Sequence, residues 1–173
     1  MDDLTRYIRD VPDFPRVGIV FKDITPLLND AQAFACAVES MSQRAPRPGG
    51  IVAIESRGFV FGAALALRWQ VPLVLARKFG KLPGKTVRQV YSLEYGDDTL
   101  ELHADALRPG QEVLVIDDLL ATGGTALATA RLVEQLQAKV LGMIFLIELT
   151  GLGGRERLKG YAVEALLQYQ VEE

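Results

Sequence analysis

The hydrophobic positions of this chain form short runs separated by longer stretches with helical spacing. Three runs are rich in leucine or β-branched residues and too short for helices, at Ile51–Glu55, Val71–Ala76 and Val113–Asp117. Such runs, when glycine, proline or acidic residues bound them, are typical of strands buried on both faces of a parallel sheet. We therefore predict three buried parallel strands.

Helical spacing follows the first and the third run, at Gly58–Gln70 and Thr125–Gln137. The predicted apolar stripe of the first helix comprises Phe59, Gly62, Ala63, Ala66 and Leu67. A further strand is predicted at about Val140–Leu149, and a short closing strand or hairpin at Ala162–Gln168. This alternation predicts one α/β domain over residues 1–173, with a central, mostly parallel sheet and helices on both faces.

Two segments depart from the alternation. Residues 1–30 are interrupted by prolines, which predicts short or irregular elements wrapped on the main body. Residues 77–103 are basic at first and then strand-like at Thr86–Glu94 and Thr99–His103, around a predicted turn at Gly96-Asp97-Asp98. A long polar loop in a compact domain is usually functional or mobile, although an exposed hairpin without a function would look the same.

The composition is that of an ordinary folded domain, with 49% hydrophobic and 24% charged residues among 173. The lone Cys36 excludes an intrachain disulfide, and its apolar neighbours predict a buried thiol in a reducing compartment. No apolar stretch is long enough to span a bilayer, and Asp2 and Asp3 stand where a secretory signal carries positive charge. We therefore expect a cytoplasmic protein.

The charged residues are unevenly distributed. The net charge is −3, yet no acid occurs from Ser56 to Leu93. That stretch holds seven basic residues: Arg57, Arg68, Arg77, Lys78, Lys81, Lys85 and Arg88. The net negative charge of the chain argues against a protein that coats nucleic acid, whereas the basic segment indicates an anionic ligand.

One segment joins a buried strand to a glycine-rich turn. Val113–Asp118 is followed by Leu119-Leu120-Ala121-Thr122-Gly123-Gly124-Thr125, and a helix is predicted to begin at or near Thr125. Ligands of open α/β sheets bind beyond the carboxyl ends of the strands, and such a turn presents several N–H groups at the positive end of a helix. We predict that the turn binds a phosphate, although it could also serve only as a helix cap.

Two adjacent carboxylates, Asp117 and Asp118, precede this turn. Their charges repel unless a divalent cation or a set of hydroxyl donors shares them. A ribose diol offers two hydroxyl donors. The pair and the turn together therefore match the needs of a sugar 5-phosphate.

Val113–Thr125 resembles the phosphoribosyl-pyrophosphate (PRPP) binding motif of the type I phosphoribosyltransferases. Other segments are similar to the adenine-specific branch of that family, in order and over essentially the whole chain. They are Asp13–Pro15 with Gly18–Pro26, Glu55–Phe59, Arg77–Lys78 with Gly80–Gly84, Tyr91–Gly96, and Glu148–Thr150. The resemblance implies a single-domain type I phosphoribosyltransferase-like fold, with an N-terminal hood at about residues 1–30 and a flexible lid hairpin at about residues 78–103.

The resemblance also implies the activity. The family reaction of this branch moves 5-phosphoribose from PRPP to N9 of adenine, releases pyrophosphate and forms AMP in purine salvage. It implies a glycosyltransferase that uses Mg²⁺ and is typically a homodimer, with PRPP and adenine as small-molecule substrates and no nucleic-acid or membrane partner. Apolar residues around Phe59 and Phe61 are the candidate dimer interface.

Site residues follow from the matching motifs. Glu94 is implied as the general base or proton relay for adenine N9, with Arg57 and Tyr95 as further catalytic residues, although Glu94 could also be a solvated acid at a strand end. The ribose 5-phosphate set is Asp117, Asp118, Ala121, Thr122, Gly123, Gly124 and Thr125. The pyrophosphate set is Glu55, Ser56, Arg57, Gly58, Arg77, Lys78 and Lys81. Mg²⁺ is expected to be held mainly by PRPP and water, either without a protein ligand or through Asp117 and Asp118.

Adenine recognition is implied to involve the hood. Main-chain atoms of Val20 and Lys22 would pair with the base, with Phe21 between them in sequence, and the ring would pack between Val20 and Leu149. Ala121 stands where relatives that use 6-oxopurines commonly carry an aspartate. Two alternatives stay open: an enzyme of the same fold that uses another base, and a non-enzymatic PRPP sensor, which would be expected to carry an added DNA-binding segment.

Overall fold

The computed structural model describes residues 3–93 and 96–171. The chain forms two compact units, one that ends at Ser40 and one that begins at Met41. In the described residues, the first unit holds only short elements before its helix, and the second holds the main sheet.

The first unit begins with the 3-10 turn Leu4–Tyr7, followed by strands β1 (Arg9–Pro12) and β2 (Val20–Asp23) and helix α1 (Thr25–Asn29). The two strands pair antiparallel, so that Arg9 lies opposite Asp23. Helix α2 (Ala31–Ser42) follows, and the Asp30 carboxylate caps its first amides. The short elements agree with the proline pattern of this segment.

The second unit contains seven strands within the described residues. They are β3 (Ile51–Ile54), β4 (Leu73–Lys78), β5 (Thr86–Leu93), β6 (Gly96–His103), β7 (Glu112–Leu120), β8 (Lys139–Thr150) and β9 (Val163–Gln170). They form one sheet in the order β5-β6-β4-β3-β7-β8-β9, in which β5 and β6 are an antiparallel hairpin and the others are parallel. The predicted central, mostly parallel sheet is confirmed.

Three helices connect these strands in the described part of the unit: α3 (Gly58–Trp69), α4 (Gly124–Gln135) and α5 (Gly154–Arg157). Helix α3 covers the sheet face that presents Ala53, because a Cβ added at Gly62 would lie 2.5 Å from the Ala53 Cβ. The neighbours Val52 and Ile54 belong instead to the core cluster that contains the buried residues of α4. Successive side chains of a strand alternate between faces, so β3 is buried on both sides.

The predicted apolar stripe of α3 is correct only at Gly62 and Ala66, and the prediction that Cys36 is buried is wrong. The buried residues of α3 are Gly58, Phe61, Gly62, Leu65 and Ala66. The helix is apolar on nearly every face, so periodicity alone did not indicate which stripe faces the sheet, and Leu67 is 80% exposed. Cys36 is half-buried rather than buried.

Two strand boundaries also differ from their predictions. Strand β4 starts at Leu73 rather than Val71, because the Val71 amide still donates to the Ala66 carbonyl at the end of α3. Strand β6 starts at Gly96, which pairs with Leu93. Gly96, Asp97 and Asp98 therefore lie in a strand and not in the turn.

Candidate active site

A cleft of about 330 Å³ opens at the carboxyl ends of β3 and β7. Residues of the turns after both strands line the cleft, together with residues of the lid strands. Among the predicted site residues, those that line the cleft are Glu55, Ser56, Arg57, Lys78, Asp117, Asp118, Ala121, Thr122, Gly123, Gly124 and Thr125. The topology explains this convergence, because β3 and β7 are parallel neighbours whose carboxyl ends meet at one edge of the sheet.

The turn after β3 lies directly against the end of β7 because residue 58 is glycine. A Cβ added at Gly58 would lie 2.8 Å from both the Asp117 Oδ1 and the Ile116 carbonyl oxygen. This close approach places Arg57 beside the acidic pair, with its Nε 2.9 Å from Asp118 Oδ2. The Glu55–Ser56 peptide bond, which opens this turn, is cis.

The acidic pair is held in a weakly solvated position. Burial raises the pKa of the Asp117 carboxyl, and the adjacent Asp118 charge raises it further. Burial also raises the pKa of Asp118, although the positive charge of Arg57 opposes that rise. Both carboxylates are therefore costly to keep charged, and the positive charge of Arg57 offsets only part of that cost.

The two carboxylates have different partners. Asp117 Oδ1 accepts the Asp118 amide at 2.9 Å. Within the described residues, Asp118 Oδ2 is buried without a hydrogen bond and lies 2.9 Å from Arg57 Nε in an ion pair. The positive charge of Arg57 therefore compensates part of the cost of burying this oxygen.

The turn between β7 and α4 has the features of an anion site. Gly123 has φ +76°, a left-handed conformation that glycine adopts without strain. Helix α4 begins at Gly124, and its first turn, all of which the structure describes, contains no acidic residue. The backbone amides of the turn therefore lie at the positive end of a twelve-residue helix, and no acidic side chain in the first turn competes with an anion for them.

Sequence reasoning missed Tyr91, Asp98 and Leu100, which also line the cleft. The Tyr91 hydroxyl donates to Asp98 Oδ2 at 3.2 Å and interacts with the Thr125 side chain, while Lys78 Nζ lies 3.1 Å from the same Asp98 oxygen. Burial raises the pKa of the Tyr91 hydroxyl. The sequence would have indicated Tyr91 and Asp98 only if the pairing of the hairpin strands had been known. Leu93 pairs with Gly96, and Tyr91 therefore lies opposite Asp98.

Arg77 and Lys81 do not line the cleft in the described structure. The Arg77 guanidinium donates to both Glu55 carboxylate oxygens, at 3.1 and 3.2 Å, and through Nη1 to the Lys81 carbonyl at 3.2 Å. The two hydrogen bonds from Arg77 to Glu55 lower the pKa of the Glu55 carboxyl. Arg77 therefore joins the turn after β3 to the base of the lid.

The remaining predicted residues lie elsewhere or outside the described chain. Val20, Phe21 and Lys22 form β2 of the first unit, where the Phe21 ring meets that of Phe14 edge to face at 5.2 Å and Lys22 pairs with Asp10 at 2.6 Å. Leu149 lies near the end of β8. Glu94 and Tyr95 lie outside the described residues.

Within residues 3–93 and 96–171, no three His, Cys, Asp or Glu residues converge as a metal site. None of the helices in those ranges combines the length and the apolar character that crossing a membrane requires.

The chain is similar to proteins of one family along most of its length. The family model described as phosphoribosyl transferase domain matches residues 28–169. An adenine phosphoribosyltransferase of Desulfitobacterium hafniense (strain Y51) is 54% identical over 169 residues, which cover 96% of this chain and 98% of that protein.

Solved structures agree. The crystal structure of adenine phosphoribosyltransferase from Thermoanaerobacter pseudethanolicus matches with a TM-score of 0.94 and 50% identity, over 96% of this chain and 98% of that one. The Saccharomyces cerevisiae enzyme, complexed with D-2,5-dideoxy-2,5-imino-altritol 1,6-bisphosphate and adenine, matches with a TM-score of 0.89 and 38% identity, over 92% and 94%. This chain therefore belongs to the phosphoribosyltransferase family, in the branch of the adenine phosphoribosyltransferases.

Proposed function

We propose that this chain is an enzyme of purine salvage that transfers 5-phosphoribose from PRPP to N9 of adenine and releases pyrophosphate and AMP. The observation that carries the proposal is that an acidic pair, a glycine-rich helix start and an arginine turn line one cleft. These three parts match the ribose diol, the 5-phosphate and the pyrophosphate of PRPP. Relatives at 54% and 50% identity are named for this activity.

The ribose 5-phosphate end is proposed to bind along the β7–α4 connection. The amides of Thr122–Thr125 would receive the phosphate at the positive end of α4, and the Thr122 and Thr125 hydroxyls would add donors. The carboxylates of Asp117 and Asp118 would accept the ribose hydroxyls. Both residues line the cleft next to the phosphate turn, which supports this assignment.

The pyrophosphate end is proposed to lie on the turn Glu55–Gly58. In the reaction the bond between C1′ and the pyrophosphate oxygen breaks, and its electron pair leaves with the pyrophosphate. Arg57 and Lys78 would stabilise that growing charge, with Ser56 and the amides of the turn as further donors. Lys78 would exchange its Asp98 contact for the phosphate, while Arg77 and Lys81 would contribute charge from the base of the lid.

Mg²⁺ is proposed to accompany PRPP. The donor set fits this ion, because Mg²⁺ in phosphate sites is usually bound by one or two carboxylates together with substrate phosphates and water. Asp117 and Asp118 are the carboxylates that could contribute, and the raised pKa of each indicates that a nearby cation would stabilise their charged forms. When bound, the ion would neutralise part of the charge that develops on the leaving pyrophosphate.

Adenine is proposed to bind through the hood. Val20 and Lys22 are two residues apart on β2, so their backbone N–H and C=O groups point to the same side of the strand and can meet the donor and acceptor edge of the base. Val20 is 48% exposed and available for contact with the ring, and Leu149 would pack on the other side. Ala121 would leave the base N7 without the acidic partner typical of sites for 6-oxopurines.

The lid at residues 78–103 is proposed to close over the reacting atoms. Closure would exclude water from the cationic sugar centre that forms as the pyrophosphate leaves. The bond between C1′ and N9 then forms, and the N9 proton passes to Glu94, the proposed general base. Tyr95, the next residue in the sequence, is proposed as a further catalytic residue.

A homodimer in the cytoplasm is proposed as the working form. Helix α3 is apolar on its outer face as well as its inner face, with Val60 39% and Leu67 80% exposed. A helix that is apolar all round is normally buried, and a second copy of the chain would cover this face. The interface then involves Val60 and Leu67 rather than Phe61, which has no exposed area.

The proposal is tested with purified protein, PRPP, Mg²⁺ and adenine, by measuring AMP and pyrophosphate together. We expect equal amounts of both products. Arg57→Gln is expected to lower turnover by about 10²-fold to 10³-fold because it removes a donor to the leaving group, whereas Arg131→Gln, outside the cleft, is the matched control. The absence of AMP with the unsubstituted protein would contradict the proposed function.

A further inference from the structure

The turn proposed to hold the 5-phosphate rests on a segment outside the PRPP motif. A Cβ added at Gly123 would lie 2.7 Å from the Gly154 carbonyl oxygen and 3.2 Å from the Gly154 Cα. A Cβ added at Gly154 would collide in turn with the Ala121 carbonyl oxygen and would lie 3.0 Å from Leu120 Cδ1. The backbones of Ala121–Gly124 and Gly154 therefore touch, and each requires glycine at the contact.

Gly154 is the first residue of α5, a four-residue helix that has little stability of its own. Arg155, the next residue, attaches this helix to the sheet. Its Nε and Nη2 donate to the two Glu148 carboxylate oxygens at 2.9 and 2.6 Å, and its Nη1 donates to the Val163 carbonyl at 2.7 Å. All three guanidinium nitrogens are thus bonded to β8 and β9.

Glu148, which accepts the hydrogen bonds from Arg155, lies next to the phosphate turn. Glu148 is 4% exposed and pairs in the sheet with Leu120, the residue immediately before Ala121. Gln168 of β9 donates a further hydrogen bond to Glu148 at 3.0 Å. Planar bidentate pairing of this kind fixes direction as well as distance.

We propose that Gly154 and the Arg155–Glu148 pair are positioning residues for the ribose 5-phosphate half of the substrate site. They hold the backbone against which Ala121–Gly124 takes its phosphate-receiving shape. The pyrophosphate turn Glu55–Gly58 has no part in these contacts and depends instead on Gly58 and the end of β7. This inference rests on the proposed function for the chemical identity of the ligand.

The test compares two ligands that occupy different halves of the cleft. Affinities for ribose 5-phosphate and for pyrophosphate with Mg²⁺ are measured by calorimetry on Arg155→Met and Gly154→Ala. We expect ribose 5-phosphate to bind about 10-fold to 100-fold more weakly and the KM for PRPP to rise, because small displacements of a positioning group cost this much. Pyrophosphate affinity is expected to stay within about twofold of the unsubstituted value.

Two controls match these substitutions. Arg44→Met removes an arginine that also pairs with a glutamate, Glu164 at 3.4 Å, but does not contact the turn. Gly160→Ala places a methyl group outside α5, where nothing lies within 4 Å, and its φ of +106° makes this substitution strained as well. Both are expected to retain ribose 5-phosphate affinity even where they lower the melting temperature.

Arg155→Lys keeps the charge but offers one nitrogen instead of three, and its ribose 5-phosphate affinity is expected to lie between those of the unsubstituted protein and Arg155→Met. If Arg155→Met and Gly154→Ala fail to fold, the ribose 5-phosphate affinity of Arg155→Lys provides the test. Unchanged ribose 5-phosphate affinity in a folded Arg155→Met, whatever its melting temperature, overturns the inference, as does an equal loss for both ligands. AMP formation by the unsubstituted protein in the same preparation reports separately on the proposed function.

Discussion

At the scale of single residues, the geometry of the cleft depends on glycines that allow backbone contact. Gly58 lets the turn after β3 meet the end of β7, and Gly123 lets the phosphate turn meet Gly154. The first contact brings the turn after β3 against Asp117, and the second joins the phosphate turn to α5. A methyl group at any of these positions would need a backbone shift, because the atoms it meets belong to the main chain or to Asp117.

The residue types at the site were readable from the sequence where they carry a compact motif. The strand, the paired aspartates and the Thr-Gly-Gly-Thr turn are contiguous, so their proximity follows from the chain itself. The hydrogen bonds of Arg77 to Glu55 and to the Lys81 carbonyl could not be predicted from the sequence. They form only because folding brings both partners to the same guanidinium. Basic composition predicts charge near a ligand but does not assign its partners.

Glu148 makes the stability of the protein depend on pH. Its hydrogen bonds from Arg155 hold the pKa of the carboxyl below its ordinary value of 4.5. A group whose pKa is lower in the folded state stabilises the fold above its unfolded pKa, and this contribution is lost as the pH falls below 4.5 through the folded value. Glu148→Gln should therefore lower the free energy of unfolding at neutral pH by about 1–3 kcal/mol.

Urea unfolding of both proteins, followed from neutral pH to about pH 3, measures this effect. The difference between the proteins is expected to shrink as the pH falls. Glu164→Gln, in a pair whose glutamate side chain is 49% exposed, is expected to change stability by less than about 1 kcal/mol. A difference for Glu148→Gln that does not vary with pH would show that packing, and not charge, accounts for the loss.

At the scale of elements, the lid base is held by one buried carboxylate. Glu101 on β6 is 1% exposed and accepts hydrogen bonds from the Gly80 amide at 2.9 Å, the Thr86 hydroxyl at 3.0 Å and Arg88 Nε at 2.7 Å. The Arg88 guanidinium also lies 4.6 Å from the centre of the Phe79 ring. Both ends of the loop between β4 and β5 are therefore fixed to a single side chain.

Glu101→Gln is expected to loosen this loop without unfolding the sheet. The amide keeps one acceptor oxygen but replaces the other with a donor that faces donors, so at least one of the three hydrogen bonds is lost. Hydrogen exchange at residues 80–86 should accelerate, while β7 and β8 keep their protection. Glu112→Gln, at an exposed acid, provides the control. Unchanged exchange in the loop would contradict this role for Glu101.

The parallel strands and the two long connecting helices were predictable because buried strands are short apolar runs with distinct boundaries. The lid hairpin was predicted with the correct strands but with its turn misplaced. Gly96-Asp97-Asp98 has turn composition, yet Asp98 pairs across the hairpin with Tyr91 and hydrogen-bonds to it. The tertiary contacts of Asp98 with Tyr91 and Lys78 outweigh its local preference for a turn.

At the scale of the whole molecule, the net charge of −3 is the sum of one basic segment and an acidic remainder. The segment Ser56–Leu93 supplies Arg57 and Lys78 to the cleft, whereas the acidic remainder supplies Asp117 and Asp118 to the same cleft. A site with both signs suits a ligand that carries phosphates at its ends and hydroxyls between them. The basic segment therefore indicates a small enclosed polyanion rather than a nucleic acid.

The apolar outer face of α3 predicts the oligomeric state. Light scattering should give a mass of twice 19.0 kDa for the unsubstituted chain. Leu67→Glu places a charge on that face and is expected to shift the equilibrium towards monomers, because a carboxylate cannot be buried there without a partner. Val90→Glu, at a 58% exposed valine on the lid, should leave the dimer intact. A monomeric unsubstituted chain, or a Leu67→Glu dimer of equal stability, would contradict the proposed interface.

The preference among bases is the sharpest measure of the proposed activity. With PRPP and Mg²⁺ in excess, kcat/KM is measured separately for adenine, hypoxanthine, guanine and orotate. We predict that adenine exceeds hypoxanthine and guanine by about 10⁴-fold, because a hood that pairs with its amino group and ring nitrogen leaves polar groups unpaired against a 6-oxopurine. Adenine is also expected to exceed orotate, a pyrimidine that lacks the amino group. A higher kcat/KM for any of the other three bases than for adenine would contradict the proposed activity.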